Sequence, residues 1–153
     1  IPLAFAALPF WLVPVAKKEL RSVFLLGWVM DTAGHIWVDR KNTDSALKSL
    51  QKAKESLMLM PRSILLFPEG TRTRNGLLAP FKPGGLLIAV DTNMPIVPIA
   101  FVGTFEKLEP ESWSMNNNPI ELRVGKPISS RGYSVETRRE LANYVRDQVE
   151  KLQ

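Results

Sequence analysis

The sequence predicts an α/β fold in which a largely parallel central sheet is flanked by helices. Strand-like and helical segments alternate through most of the 153 residues, which is the order expected of such a sheet. The segment SILLF at 63–67 is a short continuous apolar run, typical of a parallel strand buried on both faces. A chain of this length can bury a real core, so we expect a single domain over 1–153.

The first half of the chain begins with a predicted helix, followed by a short strand near 11–16. A helical stretch is expected from Lys18 to about Met30. HIWVD at 35–39 places β-branched and aromatic residues between turn signals, which predicts a strand. A helix is predicted over 44–59 because apolar residues recur there at helical spacing. These apolar positions are Leu47, Leu50, Ala53 and Leu57.

The second half continues the alternation after the strand at 63–67. GGLLIAVDTN at 84–93 is predicted to form a helix packed on the sheet, and IVPIAFV at 96–102 a further strand. IELRVG at 120–125 alternates apolar and polar residues and is the last predicted strand. The final helix is expected to begin at Ser134, a favourable N-cap residue. Its predicted apolar face consists of Leu141, Val145, Val149 and Leu152.

Composition excludes several kinds of site. The sequence has no cysteine, which excludes disulfides, thiolate metal sites and a cysteine nucleophile. Its single histidine, His35, excludes a site built from several imidazoles, and we expect no metal. The net charge of +5 makes anionic partners plausible. Nucleic acid is not expected, because the basic residues are not interleaved with stacking aromatic residues and no nucleic-acid motif is present.

The segment FPEGTR, which follows the apolar run, has the chemistry of a phosphate site. Ligands of parallel sheets gather at the carboxyl ends of strands, where this segment is predicted to lie. Gly70 allows close approach of the backbone or a positive φ, and Arg72 offers a planar fork of donors that matches phosphate oxygens. Glu69 can orient an arginine or accept from a ligand hydroxyl, and Thr71 adds a hydroxyl group. An exposed turn with solvated charges remains the alternative on these residues alone.

The segment FPEGTRTR at 67–74 resembles the FPEGTRSR signature of the glycerolipid acyltransferases, the family typified by 1-acyl-glycerol-3-phosphate acyltransferase. The match is identical from Phe67 to Arg72, and Thr73 keeps the hydroxyl of the usual serine. Further segments resemble family motifs in the same order over most of the chain. They are AKKEL at 16–20, GHIWVDR at 34–40, FKPGG at 81–85 and MPIVPIA at 94–100.

This resemblance implies transfer of a fatty acyl group from acyl-CoA or acyl carrier protein to 1-acyl-sn-glycerol 3-phosphate, giving phosphatidic acid. The acyl donor is a substrate, and no other cofactor is implied. The implied binding residues for the glycerol phosphate end are Arg40, Phe67, Pro68, Glu69, Gly70, Thr71, Arg72 and Lys82. The arginines would neutralise the phosphate while Glu69 organises them and the glycerol.

The catalytic motif of the family, His-x-x-x-x-Asp, does not occur in this sequence. His35 is followed by Asp39 four positions on, whereas the motif requires five, and GHIWVDR already matches the second motif. We therefore expect the catalytic His and Asp to lie upstream of Ile1, so that the chain is a fragment without its base. A packed or surface role is the expectation for His35.

Two alternatives remain open from the sequence. The first is that another lysophospholipid or glycerol 3-phosphate is the acceptor, because acceptor choice depends on pocket residues that a motif does not specify. A non-catalytic module that binds anionic lipid is the second alternative, indicated by an uncharged opening segment beside Lys17, Lys18 and Arg21. Family resemblance also implies contact with a membrane surface and a location at its cytoplasmic face.

Overall fold

The computed structural model describes residues 2–38, 55, 62–107 and 116–153. The chain divides into two units, Ile1–Phe67 and Pro68–Gln153. The helix predicted over 44–59 lies outside the described residues except for Glu55. Our expectation of a single domain over 1–153 stays a prediction.

A parallel three-stranded sheet forms the centre of the first unit, with the strand order β2-β1-β3. The strands are β1 (Leu12–Lys17), β2 (Ile36–Val38) and β3 (Ser63–Leu65). The first half of β1 pairs with β3, from Leu12 opposite Ser63 to Pro14 opposite Leu65, and the second half pairs with β2. The predicted strands at 11–16 and 35–39 are therefore confirmed, as is the opening helix, α1 (Pro2–Ala7).

Burial on both faces belongs to β1 and not, as predicted, to the segment 63–67. In β3 and the two residues after it, Leu65 is buried, Ile64 and Leu66 are half-buried, and Ser63 and Phe67 are exposed. In the central strand β1, by contrast, Leu12, Val13 and Pro14 are buried in succession. Successive side chains of a strand point to opposite faces, so both faces of β1 are covered.

The helical stretch predicted from Lys18 to Met30 is interrupted. A 3₁₀ turn spans Lys18–Ser22, and the helix α2 spans Leu26–Thr32. Between them Leu25 has a φ of 66°, a left-handed conformation that a right-handed helix cannot contain. Gly27 permits the sharp reversal, because a Cβ at this position would lie 2.0 Å from the Arg21 carbonyl oxygen.

The second unit contains two strands and three α-helices among its described residues. A 3₁₀ turn at Pro83–Leu86 leads into α3 (Leu87–Thr92), which confirms the helix predicted over 84–93. The strand β4 (Ile99–Val102) is followed by α4 (Thr104–Lys107) and then by β5 (Glu121–Val124). β4 and β5 pair antiparallel, with Ile99 opposite Val124. The predicted α/β class is confirmed, with the parallel pairing confined to the first unit among the described strands.

The last helix, α5 (Arg138–Glu150), begins later than predicted. Thr137 occupies the N-cap position, so the prediction that Ser134 is the N-cap is wrong. The Ser134 hydroxyl instead accepts a hydrogen bond from the backbone N–H of Glu136 and donates to the Glu136 carboxylate, forming a local turn.

The predicted apolar face of α5 lies in the core of the second unit. Leu141, Val145 and Val149 are buried, whereas Leu152 lies beyond the end of the helix and is half-buried. Residues 152–153 are attached to β5, because Arg123 Nη1 donates to the carbonyl oxygens of Leu152 and Gln153. The same arginine contacts the Glu121 carboxylate.

A buried hydroxyl connects two parts of the same core. Ser130 is 2% exposed, and its Oγ lies 2.9 Å from the Ala89 carbonyl oxygen and 2.8 Å from that of Met94. Asn93 between them has a φ of 54°, so the chain reverses there at the end of α3. Ser130 thus holds the turn that leads from α3 toward β4.

Candidate functional site

The predicted phosphate-binding segment FPEGTR leads into a loop that a backbone hydrogen bond closes. We call residues 68–82 the FPEGTR loop; Phe67 immediately precedes it. Its two ends are joined by a hydrogen bond of 2.8 Å from the Lys82 backbone N–H to the Pro68 carbonyl oxygen. Because Lys82 is fixed beside the start of the loop, FKPGG and FPEGTR lie side by side although they are separated in sequence. The structure therefore brings together Pro68, Glu69, Gly70 and Lys82.

Glu69 is fixed by the backbone of its own loop. Its Oε2 accepts a hydrogen bond of 2.9 Å from the Ala79 N–H, and the pair is partly buried. A carboxylate that accepts from a backbone N–H makes a charge-assisted bond, stronger than one between neutral groups. The contact that holds Glu69 is thus with a peptide group, where we expected an arginine.

Gly70 has a φ of 72°, so the positive φ anticipated for this glycine is present. A Cβ at this position would lie 3.0 Å from Lys82 Nζ and 3.3 Å from both Lys82 Cδ and Cε. The absence of a side chain at position 70 lets the lysine stem lie along the backbone of the signature. The backbone conformation favours glycine at position 70, and an added Cβ would displace the flexible end of Lys82.

Thr71 and Arg72 are exposed to solvent at the tip of the signature. The residues that follow form a local turn, in which Thr73 Oγ1 donates to the Leu77 carbonyl oxygen at 2.9 Å. Asn75 Oδ1 accepts from the Leu77 N–H at 3.2 Å. This turn leaves the Arg72 guanidinium open to solution, as a site for a soluble or interfacial phosphate requires.

The two remaining predicted site residues lie outside this loop. Arg40 is outside the described residues, so its predicted partnership with Arg72 stays a prediction. Phe67 is the last residue of the first unit and is 40% exposed. The binding roles assigned to all eight residues by resemblance likewise stay predictions.

Two contacts that hold the FPEGTR loop were not predicted from the sequence. Arg146 of α5 donates from Nη2 to the Leu78 carbonyl oxygen at 3.1 Å. At Gly76, whose φ is 79°, a Cβ would lie 3.3 Å from the ring of Phe105. Arg146 and Phe105 are distant from the loop in sequence and belong to none of the motifs, so no sequence pattern indicated either contact.

His35 makes a structural contact with the end of the helix that precedes it. Its Nδ1 lies 3.0 Å from the Met30 carbonyl oxygen, so the tautomer that carries the Nδ1 proton caps the end of α2. The neighbouring Trp37 donates from Nε1 to Asp31 Oδ1 at 2.6 Å, and Arg21 Nε donates to Asp31 Oδ2 at 3.0 Å. The hydrogen bond from Trp37, together with Arg21, holds the pKa of the Asp31 carboxyl below its ordinary value.

Neither a metal cluster nor a membrane-spanning helix occurs among the described residues. In the described ranges, no group of three or more histidine, aspartate or glutamate side chains is placed to bind a metal ion. None of the helices in those ranges combines the length and apolar character needed to cross a bilayer.

Comparison with known proteins identifies the class. The sequence model of the family described as Acyltransferase matches residues 3–102, and the chain therefore belongs to the acyltransferase family. The fold agrees: the crystal structure of the 1-acyl-sn-glycerophosphate (LPA) acyltransferase PlsC from Thermotoga maritima superimposes with a TM-score of 0.71. That match has 28% sequence identity and covers 93% of this chain and 57% of the other.

Relatives from plants, fungi and bacteria carry one name, 1-acyl-sn-glycerol-3-phosphate acyltransferase. The protein of Limnanthes douglasii is 35% identical over 131 residues, covering 82% of this chain and 47% of the relative. That of Saccharomyces cerevisiae is 35% identical over 136 residues, covering 88% and 45%. That of Haemophilus influenzae is 32% identical over 139 residues, covering 91% and 57%. The chain thus spans about half the length of the curated relatives it matches.

Proposed function

We propose that the protein transfers a fatty acyl group from acyl-CoA or acyl carrier protein to 1-acyl-sn-glycerol 3-phosphate, forming phosphatidic acid in phospholipid biosynthesis. The main support is the FPEGTR loop, which joins an exposed arginine, a fixed carboxylate and a lysine within one closed segment. The shared name of the relatives supports the choice of acceptor. We further propose that the protein works at a membrane surface, on its cytoplasmic face, because both product and acceptor are lipids.

In this reaction the acceptor hydroxyl oxygen attacks the thioester carbonyl carbon. A C–O ester bond forms, the C–S bond breaks, and the hydroxyl proton passes through a base to the departing sulfur. General-base catalysis of this kind contributes factors of about 10² to 10⁴. The His-x-x-x-x-Asp motif has no counterpart in these 153 residues.

The residues of the FPEGTR loop have distinct roles in the proposal. Arg72 and Lys82 bind the phosphate, Arg72 with two parallel donors and Lys82 as a compact charge. Glu69 accepts from the glycerol while its Oε2 remains attached to the loop backbone. Gly70 lets the phosphate approach the backbone closely, and Arg40 is the proposed second guanidinium. Binding energy from the phosphate positions the remote hydroxyl for attack.

The test is acyl transfer by the whole protein, with Arg72→Ala compared with Arg74→Ala. Both variants remove one exposed arginine of the same loop, so both lower the charge equally. A lost hydrogen-bonded charge pair at the phosphate corresponds to an increase of about 10-fold or more in KM for 1-acyl-sn-glycerol 3-phosphate. We expect this increase for Arg72→Ala and a change below about 3-fold for Arg74→Ala.

Equal effects of the two substitutions would refute the proposed role of Arg72. Glycerol 3-phosphate and lysophospholipids with larger headgroups should be compared as acceptors in the same assay. A faster reaction with one of them would replace the proposed acceptor. No acyl transfer by the whole protein, together with liposome binding that survives Arg72→Ala, would instead favour a lipid-binding module.

A further inference from the structure

The peptide group between Leu78 and Ala79 lies between two charged side chains. Its N–H donates to Glu69 Oε2 at 2.9 Å, and its C=O accepts from Arg146 Nη2 at 3.1 Å. A single amide plane therefore connects the signature carboxylate with a guanidinium of the last helix. Both bonds are partly buried, so solvent screens them less than it screens surface pairs.

The dipole of this peptide group is aligned with both charges: the cation is at its carbonyl oxygen and the carboxylate is at its N–H. A cation at the carbonyl oxygen withdraws electron density from the amide, which makes the N–H a better donor to the carboxylate. Hydrogen bonds joined through one polar group strengthen each other in this way. Arg146 therefore stabilises the bond that fixes Glu69, although the two side chains need not touch.

The guanidinium of Arg146 is itself held in position. Nη1 donates to Glu150 Oε2 at 3.0 Å and Nη2 donates to Glu150 Oε1 at 3.3 Å, a paired contact one helical turn apart. Nη2 carries two protons, so it can serve Glu150 and the Leu78 carbonyl together. The side chain is 26% exposed, and the adjacent residue Val145 is 3% exposed and anchors this part of α5.

From this geometry we infer that Arg146 is a positioning residue for Glu69, acting through the Leu78–Ala79 peptide, with Glu150 orienting its guanidinium. The inference rests on the proposed function for the role of Glu69. Arg146 lies outside residues 3–102, the span matched by the family model. A lysine at position 146 keeps a donor for the Leu78 carbonyl but cannot form the planar paired contact with Glu150.

The experiment compares Arg146→Gln, Arg146→Lys and a matched control, Arg139→Gln, in the whole protein. Arg139 is an exposed arginine in the same helix, so its replacement removes the same charge from the same element. We expect Arg146→Gln to raise KM for 1-acyl-sn-glycerol 3-phosphate about 10-fold, with a smaller change in kcat. Arg146→Lys should recover part of the loss, and Arg139→Gln should change KM less than about 3-fold.

A double-mutant cycle tests the connection through the peptide. If Arg146 acts by positioning Glu69, then Glu69→Ala combined with Arg146→Gln raises KM no more than Glu69→Ala alone. Effects that multiply would show two independent contributions and would overturn the inference. So would equal KM values for Arg146→Gln and Arg139→Gln. Should Arg146→Gln unfold the protein, Glu150→Gln provides a milder perturbation with the same expected direction.

A second readout does not depend on activity. The amide proton of Ala79 should exchange with solvent about 10-fold faster in Arg146→Gln than in Arg139→Gln, because its bond to Glu69 is weakened. Unchanged Ala79 exchange would refute the physical coupling even if KM changed. If the whole protein does not acylate 1-acyl-sn-glycerol 3-phosphate at all, the proposed function fails, and Ala79 exchange still decides the inference.

Discussion

Replacing Gly70 by alanine is expected to have two separable effects, one on the backbone conformation and one on the position of Lys82. Gly70→Ala places a Cβ on a residue with a φ of 72°, at 3.0 Å from Lys82 Nζ. The left-handed conformation costs a residue with a Cβ roughly 1–2 kcal/mol. Displacing the flexible end of a lysine costs little stability, but it moves a charge that we place at the phosphate.

Two other glycines separate these contributions. Gly132 has a φ of 89° with no atom within 4 Å of an added Cβ, whereas Gly84 has neither a positive φ nor a close neighbour. Urea unfolding should show losses of roughly 1–2 kcal/mol for both Gly70→Ala and Gly132→Ala, and less for Gly84→Ala. Only Gly70→Ala should also raise KM for the phosphorylated acceptor. If the KM of Gly70→Ala equals that of Gly132→Ala, the contact between Gly70 and Lys82 does not contribute to binding of the acceptor.

Two further predictions concern stability and ionisation. Ser130→Ala removes the buried hydroxyl that contacts the Ala89 and Met94 carbonyl oxygens. We expect the free energy of unfolding, measured in urea, to fall by about 1–3 kcal/mol. Ser129→Ala, at the exposed neighbouring residue, is the control. The pKa of Asp31 should lie below 3.8 in the folded protein and rise toward that value in Trp37→Phe, as followed by carboxyl NMR shifts. Because this folded pKa is depressed, the associated stability is present above the unfolded pKa and is lost as pH falls through the folded value. An Asp31 pKa that is unchanged by Trp37→Phe would contradict the assigned cause.

The elements that sequence could predict are those determined by local pattern. Alternating or continuous apolar residues located β1, β2, β4 and β5, and the spacing of Leu141, Val145 and Val149 identified the buried face of α5. For Gly70 the sequence indicated either a close backbone approach or a positive φ, and the structure has a φ of 72°. In both cases the physical cause lies within a few residues of the feature.

The features that were missed depend on distant partners. The helix over 18–30 is broken at Leu25, where close packing of Gly27 on Arg21 outweighs helical propensity. The apolar run at 63–67 suggested burial on both faces, but only Leu65 is buried and its neighbours Ile64 and Leu66 are half-buried. The bond from Arg146 to Leu78 spans 68 residues, and no local pattern distinguishes this arginine from the others in α5.

The attachment of Arg123 to the carbonyl oxygens of Leu152 and Gln153 has a practical consequence for experimental design. A fluorophore or affinity tag attached at Gln153 would compete for the space around these carbonyls and pull residues 152–153 away from β5. The disturbed residues would lie only about two helical turns from Arg146, which donates to the Leu78 carbonyl oxygen. Labels for kinetic work on this protein are therefore better placed on the outward-facing side of α5, at Asn143 or Tyr144, which are both solvent-accessible.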